Sequence, residues 1–149
     1  MANVLVPQHL KTPIVASIPP QSAAAGTYTS GWVSMATLGK IYAVLNIGAI
    51  TGSGTVNAKL EQATDSAGTG AKDVTGAAIT AIVGSASSNA QVTIEVRPAQ
   101  LDVVNNFNHV RLSVTTAVAA SILGAVVHGT NAKYEPQAQA ATAVEAVTG

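Results

Sequence analysis

Three histidines, His9, His109 and His128, are the side chains in this sequence with most claim to a transition metal. Zinc would need three or four converging ligands, and the chain has no cysteine and no paired-histidine motif to complete the set. His109 and His128 flank the last two expected strands and could approach each other across a hairpin. The plainer reading is two histidines hydrogen-bonded at a sheet end. The run Asp65-Ser-Ala-Gly-Thr-Gly-Ala-Lys-Asp73 has the glycine content of a calcium loop but no carboxylates at alternate positions, and a hard cation takes about six oxygens or more. Gly68-Thr-Gly70 is followed by neither a helix nor a Lys-Ser/Thr pair, so it is no phosphate cradle. Glu61, Glu95 and Asp102 would do acid–base work only if two shared a cleft, and each falls on an outward strand position or a turn. Ser34, Ser113 and Ser121 lack a nucleophile context. The sequence therefore predicts no catalytic residue, no metal, no cofactor and no enzyme.

The elements that would have to position such groups are strands. Tyr28 to Met35 and Lys40 to Ile50 read as extended, the second nearly all apolar, as a strand buried on both faces would be. Thr51-Gly-Ser-Gly54 is a hairpin signal. Thr55 to Thr64 then alternates, with Val56, Ala58, Leu60 and Gln62 on one face and Asn57, Lys59, Glu61 and Ala63 on the other. Lys72 to Thr75 and Ala78 to Val83 are short strands split by Gly76, and Gly84 to Ala90 is a loop. Gln91 to Arg97 alternates with Val92, Ile94 and Val96 inward. Leu101 and Phe107 are placed to plug one end of the core, and Val110 to Thr116 and Ile122 to Thr130 make a last pair of strands. About eight short strands with glycine-rich turns predict an all-β protein, an antiparallel, jelly-roll-like β-sandwich over residues 28–134. Its expected core is Val44, Leu45, Ile47, Leu60, Ile94, Val96, Leu112, Val114 and Val126.

Residues 1–27 read as an extended arm outside that sandwich. Pro7, Pro13, Pro19 and Pro20 exclude a regular helix, and only Pro13 to Ile18 could pair, at an edge. Its apolar residues Val4, Leu5, Val6, Leu10, Ile14 and Val15 share no face of their own, so they are candidates for contact with a neighbouring subunit. Residues 135–149 form an Ala- and Gln-rich tail whose Gln137 to Val147 stretch has helix-forming alanines but no protected helix start. Trp32 is either the core anchor or an interface aromatic, the first being the commoner fate of a lone Trp.

Composition narrows the partners. Charged residues are 9% of the chain against roughly 25% in an average soluble domain, and seven basic side chains balance seven acidic ones. Low charge with no net charge suits a subunit that lives inside an assembly. No basic stripe exists to neutralise phosphates, so no nucleic-acid partner is expected. Leu112 to Ala132 carries no charge and is long enough for a membrane span, but its polar residues and two β-branched runs fit a pair of strands better. Met1 to Leu10 has neither the basic start nor the apolar stretch of a signal peptide.

The succession Ser30-Gly-Trp-Val33, Gly39-Lys-Ile-Tyr-Ala-Val-Leu45, Ala58-Lys-Leu-Glu-Gln-Ala-Thr-Asp65, Gly70-Ala-Lys-Asp-Val-Thr-Gly76, Leu101-Asp-Val103, Val110-Arg-Leu-Ser-Val-Thr115 and Gly129-Thr-Asn-Ala-Lys-Tyr-Glu-Pro136 resembles small β-rich virion proteins of tailed bacteriophages, most of all capsid decoration, or cement, proteins. The likeness spans residues 28–136 and leaves the arm outside. It implies a protein made in the bacterial host cytoplasm and bound to the capsid exterior, with the major capsid protein and copies of itself, as a homotrimer, for partners. It implies no catalytic or ligand residue. Two other classes stay open: another virion part (tail tube, head–tail joining or fibre-associated subunit) and a carbohydrate-binding β-sandwich. Five aromatic residues make a poor platform for sugars.

Overall fold

The computed structural model describes residues 7–134 and 138–143. One helical turn, α1 (Gln8–Lys11), precedes ten strands: β1 (Ile14–Ala23), β2 (Gly26–Thr29), β3 (Val33–Ser34), β4 (Lys40–Ile50), β5 (Thr55–Ala63), β6 (Lys72–Ala78), β7 (Ile82–Val83), β8 (Gln91–Val96), β9 (His109–Ala117) and β10 (Ser121–Thr130). A second helical turn, α2 (Gly84–Ser87), joins β7 to β8. The strands make two antiparallel sheets, β1-β10-β4-β8 and β2-β9-β5-β6, with β3 also on β9 and β7 also on β5. That order makes the all-β sandwich a jelly roll.

The connection at Thr51-Gly-Ser-Gly54 is an arch between the sheets rather than a hairpin. Gly52 takes φ +53, and the Gly54 N–H closes the turn on the Thr51 carbonyl at 2.9 Å. β4 and β5 nevertheless land in opposite sheets, as do β9 and β10. Glycines and polar residues report that the chain reverses. Whether the next strand pairs with the last or crosses the ~10 Å to the facing sheet depends on partners distant in sequence. The same crossing separates His109 from His128, which do not share a hairpin.

The first strand belongs to the sandwich. β1 pairs with β10 from Ile14↔His128 to Ala23↔Ser121 and buries Ala16, Ile18 and Ala23. The expected boundary at residue 27 is thus corrected: residues 14–23 lie on the chain's own sheet and β2 pairs with β9. Pro19 and Pro20 fit because they sit at a register shift between Ile18 and Gln21, on an edge strand where missing N–H groups cost no ladder bond. Between Pro7 and Pro13 there is room for one turn, α1, which buries no residue.

Leu45, Ile47, Leu60, Ile94, Val96, Leu112 and Val114 are buried as expected, together with Ile41, Val56, Val110, Leu123 and Val127. Val44 and Val126 are not core. They oppose each other across β4 and β10 on the outer face, where they are half-buried. Their strands are apolar on both faces, and alternation alone does not tell which face is inside. Leu101 joins the core cluster, and Phe107 is buried nearby under the Lys72 ammonium, 4.2 Å from its ring centre. β6 runs unbroken through Gly76, whose φ of +79 absorbs an irregularity in its pairing with β5.

Candidate functional site

The outer face of the β1-β10-β4-β8 sheet carries a groove of about 640 Å³. Gly48 and Gly124 lie in it beside Ile14, Pro19, Pro20, Ile122 and Val126, and its polar side chains are Ser17, Asn46 and Thr142. No Asp, Glu, Lys or Arg among the described residues lines it. The glycines make room for their neighbours: a Cβ on Gly124 would stand 3.0 Å from the Pro20 Cα, and one on Gly48 would stand 3.2 Å from the Ile122 Cβ. The only ion pair among the described residues of this face is Lys40–Glu95 (3.1 Å), on outward positions of β4 and β8.

Part of the tail borders the groove. The Ala140 N–H donates to the Ile14 carbonyl (2.7 Å), the Ile14 N–H to Gln139 Oε1 (3.4 Å) and the Ser17 hydroxyl to Thr142 Oγ1 (3.1 Å). The Ala143 N–H then closes a turn on the Ala140 carbonyl at 2.9 Å. Residues 138–143 are therefore docked against β1 and are not helical. Residue 137 and residues 144–147 of the alanine-rich stretch lie outside the described residues.

Charge gathers on the outer face of the other sheet. Lys59 bridges Glu61 (3.4 Å) and Asp73 (2.6 Å), and Glu61 also accepts from Arg111 Nε at 2.8 Å. The Arg111 guanidinium lies 4.6 Å from the Trp32 ring centre. Trp32 is half-buried there and outside the core cluster, so the core-anchor reading is corrected. Its two ring neighbours, Arg111 on an outward strand position and Gly68 in the Asp65 loop, hold it over the sheet. Gly68 has φ +85, and a Cβ there would stand 2.6 Å from Trp32 Nε1. We expect Gly68→Ala to cost about 1–3 kcal/mol, from strained backbone and a displaced ring. Trp32 is the one tryptophan, so a red-shifted emission with a lowered unfolding midpoint checks this, and an unmoved spectrum refutes it.

The same face sets the pH response. The Asp73 hydrogen bond, with help from Glu61 and against desolvation, raises the Lys59 ammonium above its ordinary range. The Thr69 N–H and hydroxyl, aided by Ala67 and Gly68, hold the Asp65 carboxyl low, and Lys72 and then Asn105 do so for Asp102. A raised lysine stabilises below its unfolded pKa, and that contribution is lost as pH climbs through the folded value. Lowered carboxyls stabilise above their unfolded pKa and lose this as pH falls through the folded value. Stability should be level across neutral pH and fall below about pH 4 and above about pH 10. In thermal melts from pH 2 to 7, Asp102→Asn should flatten the acid limb; an acid limb as steep as that of the parent would refute the assignment.

The sequence-predicted chemical groups are dispersed. His128 donates from Nδ1 to the Thr12 carbonyl at 3.0 Å, securing the start of β1, while His109 Nδ1 contacts Asn108 Oδ1. Asp65 Oδ1 accepts from the Ala67 and Thr69 N–H groups, each at 3.0 Å, which makes its loop a self-capped turn. Glu61 and Asp102 are paired with cations on one side of the sandwich and Glu95 on the other. No group of three metal-ligating side chains occurs among the described residues. Leu112 to Ala132 forms most of β9 and all of β10, and no described helix is long and apolar enough to cross a membrane. Of the arm candidates, Leu10 is half-buried on α1, Ile14 lines the groove and Val15 packs against the core. Val4, Leu5 and Val6 lie outside the described residues. Sequence reasoning missed the groove itself; its signal was the apolar character of β4 and β10 on both faces.

No family model and no curated protein matches the chain. Several solved structures are similar, two of them as follows. One is the top component of cowpea mosaic virus, its naturally occurring empty particles, at 12% identity over 81% of this chain and 82% of that one, with a TM-score of 0.43. The other is a protein of Bacillus endospore appendages, a family of disulfide-linked pili, at 18% identity over 87% of this chain and 100% of that one, with a TM-score of 0.31. Scores of this size carry no argument about the chain, and its class rests on its own topology: an all-β jelly roll with an uncharged groove on one outer face.

Proposed function

We propose that this chain is a structural virion subunit that decorates the major capsid shell of a tailed bacteriophage from outside, as a non-enzymatic, cofactor-free homotrimer. One observation carries the docking surface. β4 and β10 have the composition of strands buried on both faces, yet the facing sheet covers only their inner side. Their outer side, with Val44, Val126 and the half-exposed Ile122, is the surface a shell would cover. The low total charge and the sequence resemblance favour a virion for that assembly; the jelly roll agrees by analogy, since the fold also serves unrelated functions. In this reading Leu10 and Ile14 belong to the contact, Val4, Leu5 and Val6 extend it, and Val15 supports it from the core side. Trp32, held by Arg111 on the opposite sheet, contributes to contacts between copies.

Purified particles test the proposal. Hundreds of copies per particle are expected, with a monomeric or trimeric free protein; a handful of copies, or a free hexamer, would move it to a vertex or tail part. Val126→Glu puts a carboxylate in the centre of the contact. It should cut particle occupancy at least tenfold, since an unpaired buried charge costs several kcal/mol, while changing the free protein's melting little. Undiminished occupancy refutes this docking face.

A further inference from the structure

β8 ends its sheet, and its outer edge is open. The Ile47 N–H donates to the Ala90 carbonyl at 2.8 Å, and Leu45↔Val92, Ala43↔Ile94 and Ile41↔Val96 continue in the same phase. Those residues turn their N–H and C=O groups to β4, so the groups of Gln91, Thr93 and Glu95 point the other way. Nothing among the described residues bonds to them. The open stretch stops at Arg97, whose N–H donates to Gln100 Oε1 at 2.9 Å. The other sheet edges are guarded. β1 gives both backbone groups of Ile14 to the tail and carries Pro19 and Pro20. β6 bends at Gly76 and bears Lys72 and Asp73, and β2 is four residues long. β8 has no proline, no glycine and no bulge, the usual means of blunting an edge.

We infer that β8 takes the β8 of a second copy, antiparallel, about a two-fold axis through Thr93. That register sets Thr93 against its counterpart and Gln91 against the partner's Glu95 on both sides of the axis. Each facing pair exchanges both N–H···O bonds, and each Gln91 amide meets a carboxylate. Any other centre pairs fewer of the open groups, and one at Glu95 brings two carboxylates face to face. The edge is its own complement, as a two-fold contact requires. Six residues make a small contact, so it forms where copies are crowded. It goes beyond the shell-binding reading and is independent of it, because a two-fold pair links subunits whether they stand singly or as trimers.

The chain has no native cysteine, so Thr93→Cys places a single thiol per copy on the axis. Facing Cα atoms of a bonded pair stand ~5.5 Å apart, within disulfide range. Full-length protein is oxidised over a series of concentrations beside Val104→Cys, whose site is 88% exposed. At equal concentration Thr93→Cys should form disulfide dimers roughly tenfold faster than Val104→Cys, because pairing holds the thiols together. Gln91→Cys mixed with Glu95→Cys should give the mixed dimer faster than either forms a dimer with itself. Adding Gln91→Pro to Thr93→Cys removes an outward N–H and no ladder bond of the subunit's own sheet. It should bring the rate down to that of Val104→Cys while moving the melting midpoint little. A Thr93→Cys rate no higher than that of Val104→Cys overturns the inference. So does a fast rate that survives Gln91→Pro, or self-dimers of Gln91→Cys as fast as the mixed ones. Particle occupancy and copy number, which test the shell-binding reading, are measured separately and do not depend on these rates.

Discussion

Removing residues 2–23 should abolish the sandwich, and removing residues 2–10 should leave it standing. β1 supplies the outer ladder of β10 and puts Ala16, Ile18 and Ala23 into the core. Burying Ile18 alone is worth about 1.5–3 kcal/mol, and each net ladder hydrogen bond adds about 0.5–1.5 kcal/mol. Together these approach the ~5–15 kcal/mol that holds a typical domain. Residues 8–10 bury no side chain fully. Circular dichroism and amide dispersion check both truncations. A folded chain lacking residues 2–23 would mean that the strand is a dispensable arm.

Leu60→Ala and Leu112→Ala should each cost about 2–5 kcal/mol, the largest effects expected of single substitutions here. Both side chains are 0% exposed and stand opposite each other across β5 and β9. Emptying both sites creates one shared cavity, so the double variant should depart from additivity by about 0.5–3 kcal/mol. Val44→Ala is the contrast: its side chain faces outward, and the loss in the free protein should be under about 1 kcal/mol. Denaturant titration measures all four proteins. If Val44→Ala were as damaging as Leu112→Ala, the inner and outer faces would have been exchanged.

How much of this was legible differs from strand to strand. In β5 and β8 polar residues alternate with apolar ones, and the buried set Val56, Ala58, Leu60, Ile94 and Val96 follows from order alone. Gln62 was placed inward too, and it is buried, accepting from the Asp102 N–H at 2.8 Å and donating to the Asp73 carbonyl at 3.2 Å. Where both faces are apolar, in β4 and β10, alternation lost its meaning and Val44 and Val126 were assigned to the wrong side. Trp32 was equally undetermined, because its surroundings, Arg111 and Gly68, come from segments far away in sequence.

By itself the sequence determined that this protein is built of short strands, that little charge is available, and that its histidines, serines and carboxylates have no spacing suited to catalysis. These are local properties: periodicity, turn residues and composition are written within a few neighbouring positions. Tertiary structure alone decided that Thr51-Gly-Ser-Gly54 is an arch, that residues 14–23 join their own sheet, and that one outer face carries an uncharged groove bordered by the tail. Each of those depends on which of several chemically acceptable partners a strand meets. That choice is made by the packing of the whole chain, through contacts such as Ile14 with Ala140, which local pattern cannot rank.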